Sequence, residues 1–457
     1  MKNDYAIVIL AAGKGKRMHS PLPKPLNIVA GKAILAHIVT TVKDISPAQI
    51  IIVYSGDLSL YKAYITDSDV TWVEQQQQLG TAHAVAAALP YINASQSLVL
   101  CGDTPLVPSC ELIRLLEQSK NSVGLITATP ENPFGFGRII RNKNNNLSAI
   151  TEEKDASDAE KKIKEISTGI ITAPTKFLTQ ALKLIKNNNN QGEYYLPAII
   201  PLWLQHNAKV VTVAATDPMT VLGINNFVEL AKLENYYQLQ IANKLMTTGV
   251  RITKPESFNC HGTINAAAGV KIANNVTIKG IVTLKAGCEI EANCILEDAT
   301  IEENAIIKAS SIVIGSLISK NAQIGPFAYV RANCNIKKDA KLGAFVEAKN
   351  TTLGDGSKAN HLSYLGDAEI GTGVNIGAGT ITCNYDGKTK HKTKIEDNAF
   401  IGSGTELVAP LTINKGSYIG AGSCITNDTP AEKLTIARSR QVVIDKWSEK
   451  QQENDKN

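Results

Sequence analysis

The chain has 457 residues, a hydrophobic fraction of 44% and 33 glycines, a composition that excludes a collagen-like or wholly disordered chain. Its 47 Lys and Arg against 42 Asp and Glu leave a net charge of +5, far below the basic footprint of a nucleic-acid-binding protein. No apolar run approaches the ~18 residues of a membrane span. Lys14, Lys16 and Arg17 follow the short apolar run at residues 6–12, where a signal peptide would need a small-residue cleavage site. We therefore expect a cytoplasmic protein without membrane insertion.

The first half of the chain alternates between strand and helix patterns. Continuous apolar runs at residues 5–10, 50–54 and 98–101 are typical of strands that are buried on both faces. Apolar residues recur with helical spacing over 32–43 and 110–118. This alternation predicts an α/β domain with a mostly parallel sheet, in which ligands bind beyond the carboxyl ends of the strands.

The loop after the first strand has the composition of a phosphate-binding loop. Small residues at 11–13 let the backbone approach a phosphate closely, and Lys14, Lys16 and Arg17 add positive charge. The third glycine of the dinucleotide fingerprint is missing, and a plain strand-to-helix turn is the alternative interpretation. Lys24 lies between two prolines, a rigid placement for a lysine near such a loop.

Asp103 comes just after the buried run 98–101, at the same predicted edge of the sheet. A carboxylate there can hold Mg²⁺ against substrate phosphates, because Mg²⁺ typically takes only one or two protein ligands. A turn-capping aspartate is the alternative.

A long helix is predicted over residues 226–248, with Asn226 and Glu229 as a capping pair and Gly249 as its stop. The helix would connect two domains. Its apolar stripe consists of Phe227, Leu230, Tyr237, Ile241 and Leu245.

The second half carries a six-residue repeat, which fits neither a lone helix nor a single strand. It predicts a solenoid of short strands and turns, three sides to a coil. One register steps by six from Ile264 to Cys294, meets Thr300, and resumes through Ile306 and Ile312 to Leu342. A second register lies two residues later, and after a break the repeat returns from Ile395 to Ile425. We expect these residues to stack inside the solenoid.

The eight cysteines have no other cysteine within four residues, so the spacing of zinc sites is absent. In such a chain free, buried thiols are expected.

The unusual residues of the second half gather where the repeat breaks, at about 343–394. His361 is the best candidate for a general base, with Glu347 to orient or charge-stabilise it, and a structural histidine is the alternative. The segment 384–394 is rich in lysine and could either meet phosphates or be a solvated loop.

The segments 10–18, 79–81 and 102–103, together with Lys24, resemble the nucleotide-sugar pyrophosphorylases. Joined to a hexapeptide β-helix, they resemble the bacterial bifunctional N-acetylglucosamine-1-phosphate uridylyltransferases/glucosamine-1-phosphate N-acetyltransferases over almost the whole chain. The resemblance implies a Rossmann-like α/β nucleotidyltransferase domain followed by a left-handed parallel β-helix, assembled as a homotrimer. The domains would be 1–225, a helical linker 226–249, a β-helix 250–445 and a tail 446–457.

The resemblance also implies two reactions. Glucosamine-1-phosphate would be acetylated by acetyl-CoA, and the product would take the uridylyl group of UTP with Mg²⁺, giving UDP-N-acetylglucosamine for the cell envelope. In the first domain, Arg17 and Lys24 would be catalytic, and Asp103 and Asn225 would hold the metal. The nucleotide and sugar would meet Leu10, Ala11, Ala12, Gly13, Lys24, Gln75, Gly80, Thr81, Cys101, Gly102, Asp103, Gly137, Glu152, Ser167 and Asn225. The family usually has an asparagine at the position of Ser167 and a tyrosine at that of Cys101.

In the β-helix, the resemblance assigns catalysis to His361 and the acetyl acceptor to Arg331, Lys349, Tyr364 and Asn375. It assigns acetyl-CoA to Ala378, Asn384, Tyr385, Ser403, Ala421 and Arg438. One alternative is a nucleotidyltransferase whose β-helix only oligomerises, and His361 with Asn384 and Tyr385 argues against it. Another is a non-catalytic regulatory subunit, and Arg17, Lys24 and Asp103 argue against that.

Overall fold

The computed structural model describes residues 3–13, 15–206, 208–445 and 447, and the chain forms two compact units, Met1–Tyr237 and Gln238–Asn457. Lys14 and, apart from residue 447, the predicted tail 446–457 lie outside the described residues. Among the residues that are described, no helix combines the length and the apolarity that crossing a membrane requires.

The first unit alternates strands and helices as the apolar runs predict. Its strands are β1 (Asn3–Leu10), β2 (Ile28–Val29), β3 (Lys32–Ala33), β4 (Pro47–Tyr54), β5 (Val70–Glu74), β6 (Gln96–Cys101), β7 (Gly124–Ala128), β8 (Arg138–Arg141), β9 (Leu147–Thr151), β10 (Ile166–Pro174) and β11 (Val211–Ala214). Its helices are α1 (Ile34–Asp44), α2 (Leu58–Tyr64), α3 (Thr81–Ala88), α4 (Ser109–Gln118), α5 (Asp158–Lys161), α6 (Thr175–Ala181) and α7 (Ile199–Leu204), and α8 (Phe227–Thr247) follows.

The main sheet has the order β11-β7-β10-β6-β1-β4-β5, with β8 and β9 joined through β10. β1 pairs in parallel with β4 and β6, whereas β10 runs antiparallel to β6 and β7. Ile7 and Ile9 face one core and Val8 faces the other, so β1 is buried on both sides. The predicted mostly parallel sheet is confirmed. Its centre brings the carboxyl ends of β1 and β6 side by side.

The long helix α8 begins at the predicted cap. The Asn226 Oδ1 atom accepts from the Glu229 N–H at 2.9 Å, and the Glu229 carboxylate accepts from the backbone N–H of Asn225 at 2.7 Å. Leu230 and Tyr237 pack on the core of the first unit, and Leu245 is buried in the core of the second. Phe227, predicted on the apolar stripe, is instead 51% exposed because it stands at the first turn, before the helix meets a core.

The second unit is a left-handed parallel β-helix, and its strands form two long sheets. One face carries the strands Arg251–Ile252, Lys271–Ile272, Glu289–Ile290, Ile306–Ile307, Gln323–Ile324, Lys341–Ala344, Lys358–His361, Asn375–Ile376, Phe400–Ile401, Tyr418–Ile419 and Leu434–Thr435. The remaining faces carry Asn259–Ala266, Thr277–Leu284, Ile295–Glu297, Thr300–Ile301, Ile312–Ile314, Leu317–Ile318, Tyr329–Val330, Asn335–Ile336, Glu347–Lys349, Thr352–Leu353, Tyr364–Gly366, Ala368–Ile370, Ile381–Cys383, Thr393–Ile395, Glu406–Val408, Leu411–Ile413 and Cys424–Ile425. Each strand pairs in parallel with a strand one coil away.

Each side of a coil turns two residues inward, a small one and, two positions later, an aliphatic one, as in the pairs Val270/Ile272 and Ala305/Ile307. The predicted stacking is wrong at Ile306 and Ile312, which are only half-buried.

The physical reason is that some corners are one residue shorter than the strict period of six allows. These corners are at Asp298, Gly315, Asn350 and Asp367, each with φ near +50°. A tight corner in this left-handed backbone region removes one residue, so the next inward pair moves from positions 300 and 302 to Ala299 and Ile301.

The eight cysteines are free, as expected. Cys288, Cys294 and Cys334 take the small inward position in the β-helix, but Cys110 and Cys424 are exposed, so the expectation of burial is wrong for those two.

Candidate functional site

A cavity of about 560 Å³ opens at the carboxyl ends of β1 and β6. Twelve of the predicted residues line it: Leu10, Ala12, Gly13, Arg17, Lys24, Gln75, Gly80, Thr81, Cys101, Gly102, Asp103 and Asn225. Ala11 is buried beneath the lining, and its N–H donates to the Val53 carbonyl at 2.8 Å. The predicted nucleotide residues therefore converge on one edge of the sheet, with Ala11 as a support.

The centre of the cavity is a cluster of charged and amide side chains. Lys24 Nζ contacts a carboxylate oxygen of Asp103 and lies 3.2 Å from Asn225 Oδ1. Arg17 donates to the same Asn225 oxygen at 2.8 Å. The side chains of Lys24 and Asp103 are only 14% and 23% exposed, so their charges are incompletely screened by water.

The fold positions each member of this cluster through its backbone. Lys24 begins a short 3-10 turn directly after Pro23. The fixed φ angle of this proline restricts the path of the backbone that leads into Lys24. Asp103 follows β6 by two residues, and its carbonyl accepts from the Ile224 N–H at 3.1 Å. The Glu229 carboxylate then holds the backbone of Asn225. Residues about 200 positions apart are thereby fixed within hydrogen-bonding distance.

The segment between β5 and α3 closes another side of the cavity. Gln75 donates to the Gly80 carbonyl at 3.3 Å, and Gln78 donates to the Ala12 carbonyl at 2.7 Å. Thr81 begins α3, and its hydroxyl accepts from the Leu196 N–H at 2.9 Å. This glutamine-rich segment therefore braces the phosphate-binding loop.

A smaller cavity of about 190 Å³ adjoins the first and shares Leu10, Thr81, Cys101, Asp103 and Asn225 with it. The predicted sugar residues Gly137, Glu152 and Ser167 line it.

Burial, with a further contribution from Asp155 and Glu193, raises the pKa of the Glu152 carboxyl. Burial raises the pKa of the Cys101 thiol to about 12, so Cys101 is a neutral thiol and not a nucleophilic thiolate.

Several lining residues were not predicted. Lys154, Gln191 and Glu193 line the larger cavity, and Lys154 Nζ donates to Gln191 Oε1 at 2.7 Å. The smaller cavity is lined by residues that include Gly135, Phe136 and Gly223. These residues lie in polar or glycine-rich loops, where the sequence shows no periodicity that would indicate a site.

In the second unit, the predicted acceptor residues lie on neighbouring coils. Tyr329, Glu347 and Tyr364 occupy one register position on three successive coils, with Lys349 opposite Gly366. His361 is exposed at the end of the strand Lys358–His361. Glu347 was predicted to orient His361, but its carboxylate instead pairs with Arg331 at 2.9 Å. The reason is the register, which pairs Glu347 with Tyr329 on the adjacent coil and so places Arg331, two residues after Tyr329, within reach of the carboxylate.

Tyr364 and Asn384 meet at Gly366, where a Cβ atom would lie 2.5 Å from the Tyr364 hydroxyl and 2.8 Å from Asn384 Nδ2. Only glycine allows this close approach. Asn384 also donates to the Asp367 carboxylate, whose other oxygen accepts from Asn350. These contacts fix Asn384 beside Tyr364.

A hairpin at residues 384–391 carries the basic segment. The Asp386 carboxylate accepts from the backbone N–H groups of Lys388 and Thr389 and from His391 Nε2 at 2.7 to 2.8 Å, and these bonds lower its pKa. The hairpin brings Lys390 beside Lys349, and the Lys390 ammonium lowers the pKa of Lys349.

Four of the six predicted acetyl-CoA residues form a stripe along one corner of the solenoid. The Ala378 carbonyl accepts from the Gly404 N–H at 2.7 Å, and the Ser403 carbonyl accepts from the Gly422 N–H at 2.8 Å. Ala378, Ser403 and Ala421 therefore lie on successive coils, and Arg438 donates to the Ala421 carbonyl at 2.7 Å.

Asn384 and Tyr385, also predicted for acetyl-CoA, lie outside this stripe in the hairpin, where Tyr385 is 60% exposed. Asn375, predicted for the acetyl acceptor, pairs with Lys358 and Phe400, on a different face of the solenoid from Tyr364.

Residues 7–165 match the family model of the MobA-like NTP transferase domain. The chain is 46% identical to the "Bifunctional protein GlmU" of Francisella philomiragia subsp. philomiragia, over 97% of this chain and 98% of the relative. A protein of the same name from Alcanivorax borkumensis is 46% identical over 97% and 98%, and one from Nitrosomonas eutropha is 43% identical over 98% and 99%.

The likeness covers 97–98% of the chain and so extends over both units, which disfavours a chain that keeps only the nucleotidyltransferase half. It confirms the resemblance inferred from the motifs, and with it the prediction of a bifunctional transferase of UDP-N-acetylglucosamine synthesis. By these matches, the chain belongs to the family of bifunctional GlmU proteins.

Proposed function

We propose that the β-helix acetylates glucosamine-1-phosphate with acetyl-CoA, and that the first unit then transfers the uridylyl group of UTP to the N-acetylglucosamine-1-phosphate so formed. The observation that carries the proposal is the cluster of Arg17, Lys24, Asp103 and Asn225 at the edge of the sheet. Cations and oxygen ligands meet there at the end of a glycine-containing loop, which suits a nucleoside triphosphate and its metal.

The donor set of the cluster fits Mg²⁺. An Asp103 carboxylate oxygen and Asn225 Oδ1 both lie in contact with Lys24 Nζ, so the two oxygens face a common point. Mg²⁺ binds hard oxygen ligands, and it takes only a few of them from the protein when substrate phosphates complete its coordination. When bound, the ion supplies neutralisation of the phosphate charge.

In the first unit, an oxygen of the sugar phosphate attacks the α-phosphorus of UTP. A new phosphorus–oxygen bond forms, the bond from the α-phosphorus to the bridging oxygen breaks, and pyrophosphate leaves. Arg17 and Lys24 bind the phosphates and stabilise the charge that develops in this transfer. The backbone of residues 12–13 approaches the phosphates, and no covalent nucleophile is required.

In the β-helix, the amine of glucosamine-1-phosphate attacks the thioester carbonyl of acetyl-CoA. His361 accepts the proton that the amine loses, and the thiolate of CoA leaves as the tetrahedral intermediate collapses. His361 is exposed three residues before Tyr364, which meets Asn384 at Gly366, and this placement supports the role.

The phosphate of the acetyl acceptor would bind between Arg331, Lys349 and Lys390. The ammonium groups of Lys349 and Lys390 repel each other. A phosphate dianion bound between them would make the electrostatic energy of this arrangement favourable. CoA would lie along the stripe of Ala378, Ser403 and Ala421, whose small side chains leave the corner open.

A homotrimer is supported by an exposed apolar column on the solenoid. Phe327, Phe345 and Leu362 stand on successive coils and are 53%, 60% and 63% exposed, and the two phenylalanine rings stack at 5.4 Å. A column of this kind is suited to burial against a second copy of the chain. We place the enzyme in the cytoplasm, where UTP and acetyl-CoA are available.

The decisive experiment incubates the purified chain with glucosamine-1-phosphate, acetyl-CoA, UTP and Mg²⁺ and follows UDP-N-acetylglucosamine by chromatography. Omission of acetyl-CoA should abolish the product unless N-acetylglucosamine-1-phosphate is supplied, and omission of Mg²⁺ should stop the second step only. Free CoA without UDP-sugar, or the reverse, would refute the bifunctional assignment. Light scattering should give the mass of three chains, and a monomer with full acetyltransferase activity would contradict the trimer.

A further inference from the structure

We propose that Glu153 is a positioning residue for the sugar phosphate, because together with Arg138 it fixes the loop 133–137 that forms one wall of the smaller cavity. The inference rests on the proposed uridylyl transfer. It concerns a residue that points away from the cavity and that no sequence motif singled out.

Two hydrogen bonds join the loop to this pair, and a third joins Arg138 to Glu153. Glu153 Oε2 accepts from Arg138 Nη2 at 2.7 Å and from the backbone N–H of Gly135 at 3.1 Å. Arg138 Nη1 in turn donates to the carbonyl of Phe136. One carboxylate oxygen and one guanidinium therefore hold two successive loop residues.

The pair is buried although the loop it holds is exposed. The side chains of Arg138 and Glu153 are 2% and 17% exposed, whereas Phe134 at the tip of the loop is 74% exposed. Charge-assisted hydrogen bonds in such a place are stronger and less screened than those on the surface. The ion pair therefore holds the loop together with Phe136, which packs against the core of the first unit.

The loop sets the shape of the sugar cavity directly. Gly135, Phe136 and Gly137 all line it, and the Gly137 carbonyl accepts from the N–H of Ser167, another lining residue, at 2.8 Å. A Cβ atom on Gly137 would lie 3.3 Å from Glu152 Oε1, so the loop backbone lies close beside the carboxylate that lines the cavity. A small displacement of the loop would therefore move both walls of the sugar site.

The nucleotide half of the site does not depend on this pair. The contacts that place Lys24, Asp103 and Asn225 arise from β6, α8 and the turn at Lys24–Leu26, and none of them includes Arg138 or Glu153. Loss of the pair should accordingly weaken sugar binding and leave UTP binding unchanged.

The same strand offers a matched control. Arg141, also on β8, pairs with Glu165 through two hydrogen bonds of 2.8 and 2.6 Å, and neither residue lines either cavity. The test compares Glu153→Gln and Glu153→Ala with Glu165→Gln and Glu165→Ala. Isothermal titration with UDP-N-acetylglucosamine and with UTP measures binding without turnover, and initial rates give KM and kcat for N-acetylglucosamine-1-phosphate.

Glu153→Ala should raise the Kd for UDP-N-acetylglucosamine and the KM for the sugar phosphate by roughly tenfold, with kcat within about twofold of the wild type. Glu153→Gln, which keeps an acceptor but loses the charge, should show a smaller rise. The Kd for UTP should not change, and the Glu165 variants should lower the melting temperature without the sugar effect.

Equal weakening of UTP and UDP-N-acetylglucosamine by Glu153→Ala would overturn the proposal, as would the same sugar effect in Glu165→Ala. If the wild type bound UTP but not UDP-N-acetylglucosamine, the proposed function itself would fail, which is a different outcome. Should Glu153→Ala not fold, Glu153→Gln still decides, because it keeps the size of the side chain.

Discussion

Replacement of Asp103 by alanine should abolish uridylyl transfer and spare acetyl transfer. The change removes the carboxylate that contacts Lys24 and leaves that ammonium group, 14% exposed, with Asn225 Oδ1 at 3.2 Å as its remaining partner. Loss of one electrostatic stabiliser in a water-poor site typically lowers kcat by roughly 10²–10³-fold. The additional loss of a metal ligand should place the variant at or beyond the upper end of that range.

The same substitution also has a cost in stability. Exposed ion pairs contribute about 0–1 kcal/mol and the breaking of a buried pair costs about 3–5 kcal/mol. Asp103 is 23% exposed, so a loss of about 1–3 kcal/mol in the free energy of unfolding is expected. This loss could be mistaken for the functional effect.

Asp57→Ala is therefore the matched control. Asp57 follows β4 much as Asp103 follows β6, caps α2 by accepting from the Ser59 N–H at 2.8 Å, and lines neither cavity. Loss of such a cap typically costs about 0.5–2 kcal/mol. It should lower the melting temperature comparably and keep both activities.

Pyrophosphate release from UTP and N-acetylglucosamine-1-phosphate measures the first activity, and thiol release from acetyl-CoA measures the second. Acetyl transfer by Asp103→Ala should stay within about twofold of the wild type, because the two sites lie in separate units. A folded variant that loses both activities equally, or one that keeps uridylyl transfer, would refute the reasoning.

Three further substitutions test the remaining assignments. His361→Ala should lower acetyltransferase turnover by roughly 10²–10⁴-fold with little change in acetyl-CoA affinity, measured by thiol release and titration, and near-normal turnover would exclude it as the base. Ser167→Asn, which restores the residue usual in the family, should keep or lower the KM for N-acetylglucosamine-1-phosphate, and a marked rise would mean that the cavity has repacked around serine. Glu152→Gln should raise the melting temperature at about pH 8 but not at about pH 4, while weakening UDP-N-acetylglucosamine. The sign follows because the raised pKa of Glu152 makes its contribution to stability greatest below the ordinary glutamate pKa, and that contribution is lost as the pH rises through the raised value. A lower melting temperature at about pH 8 would contradict the raised pKa.

The sequence patterns that predicted the fold are local ones, in which the type of each residue reflects its own burial or its place at the end of an element. The apolar runs mark the buried strands β1, β4 and β6, and the Asn226–Glu229 pair marks the start of α8. In the β-helix the six-residue period identifies the inward-facing residues correctly as far as the first corner that is one residue shorter. No pattern of period six can show where that happens, because a corner such as Asp298 shortens through its own backbone dihedral angles.

The same distinction applies to the candidate site, where some features could be predicted from the local sequence and others could not. A glycine-containing loop after a strand, and a carboxylate after another, are visible in the sequence because parallel strands end at a common edge. The partners of such residues are not visible in the sequence. Arg17 contacts Asn225 only because the chain returns to that edge of the sheet some 200 residues later.

Tertiary structure alone decided which polar groups oppose one another. It paired Glu347 with Arg331 instead of His361, and it placed Lys390 against Lys349. It also turned Glu153 away from the cavity while Glu152 faces it. The physical reason is that charges interact across space with whatever the register brings near, whereas hydrophobic periodicity records only whether a residue faces inward or outward.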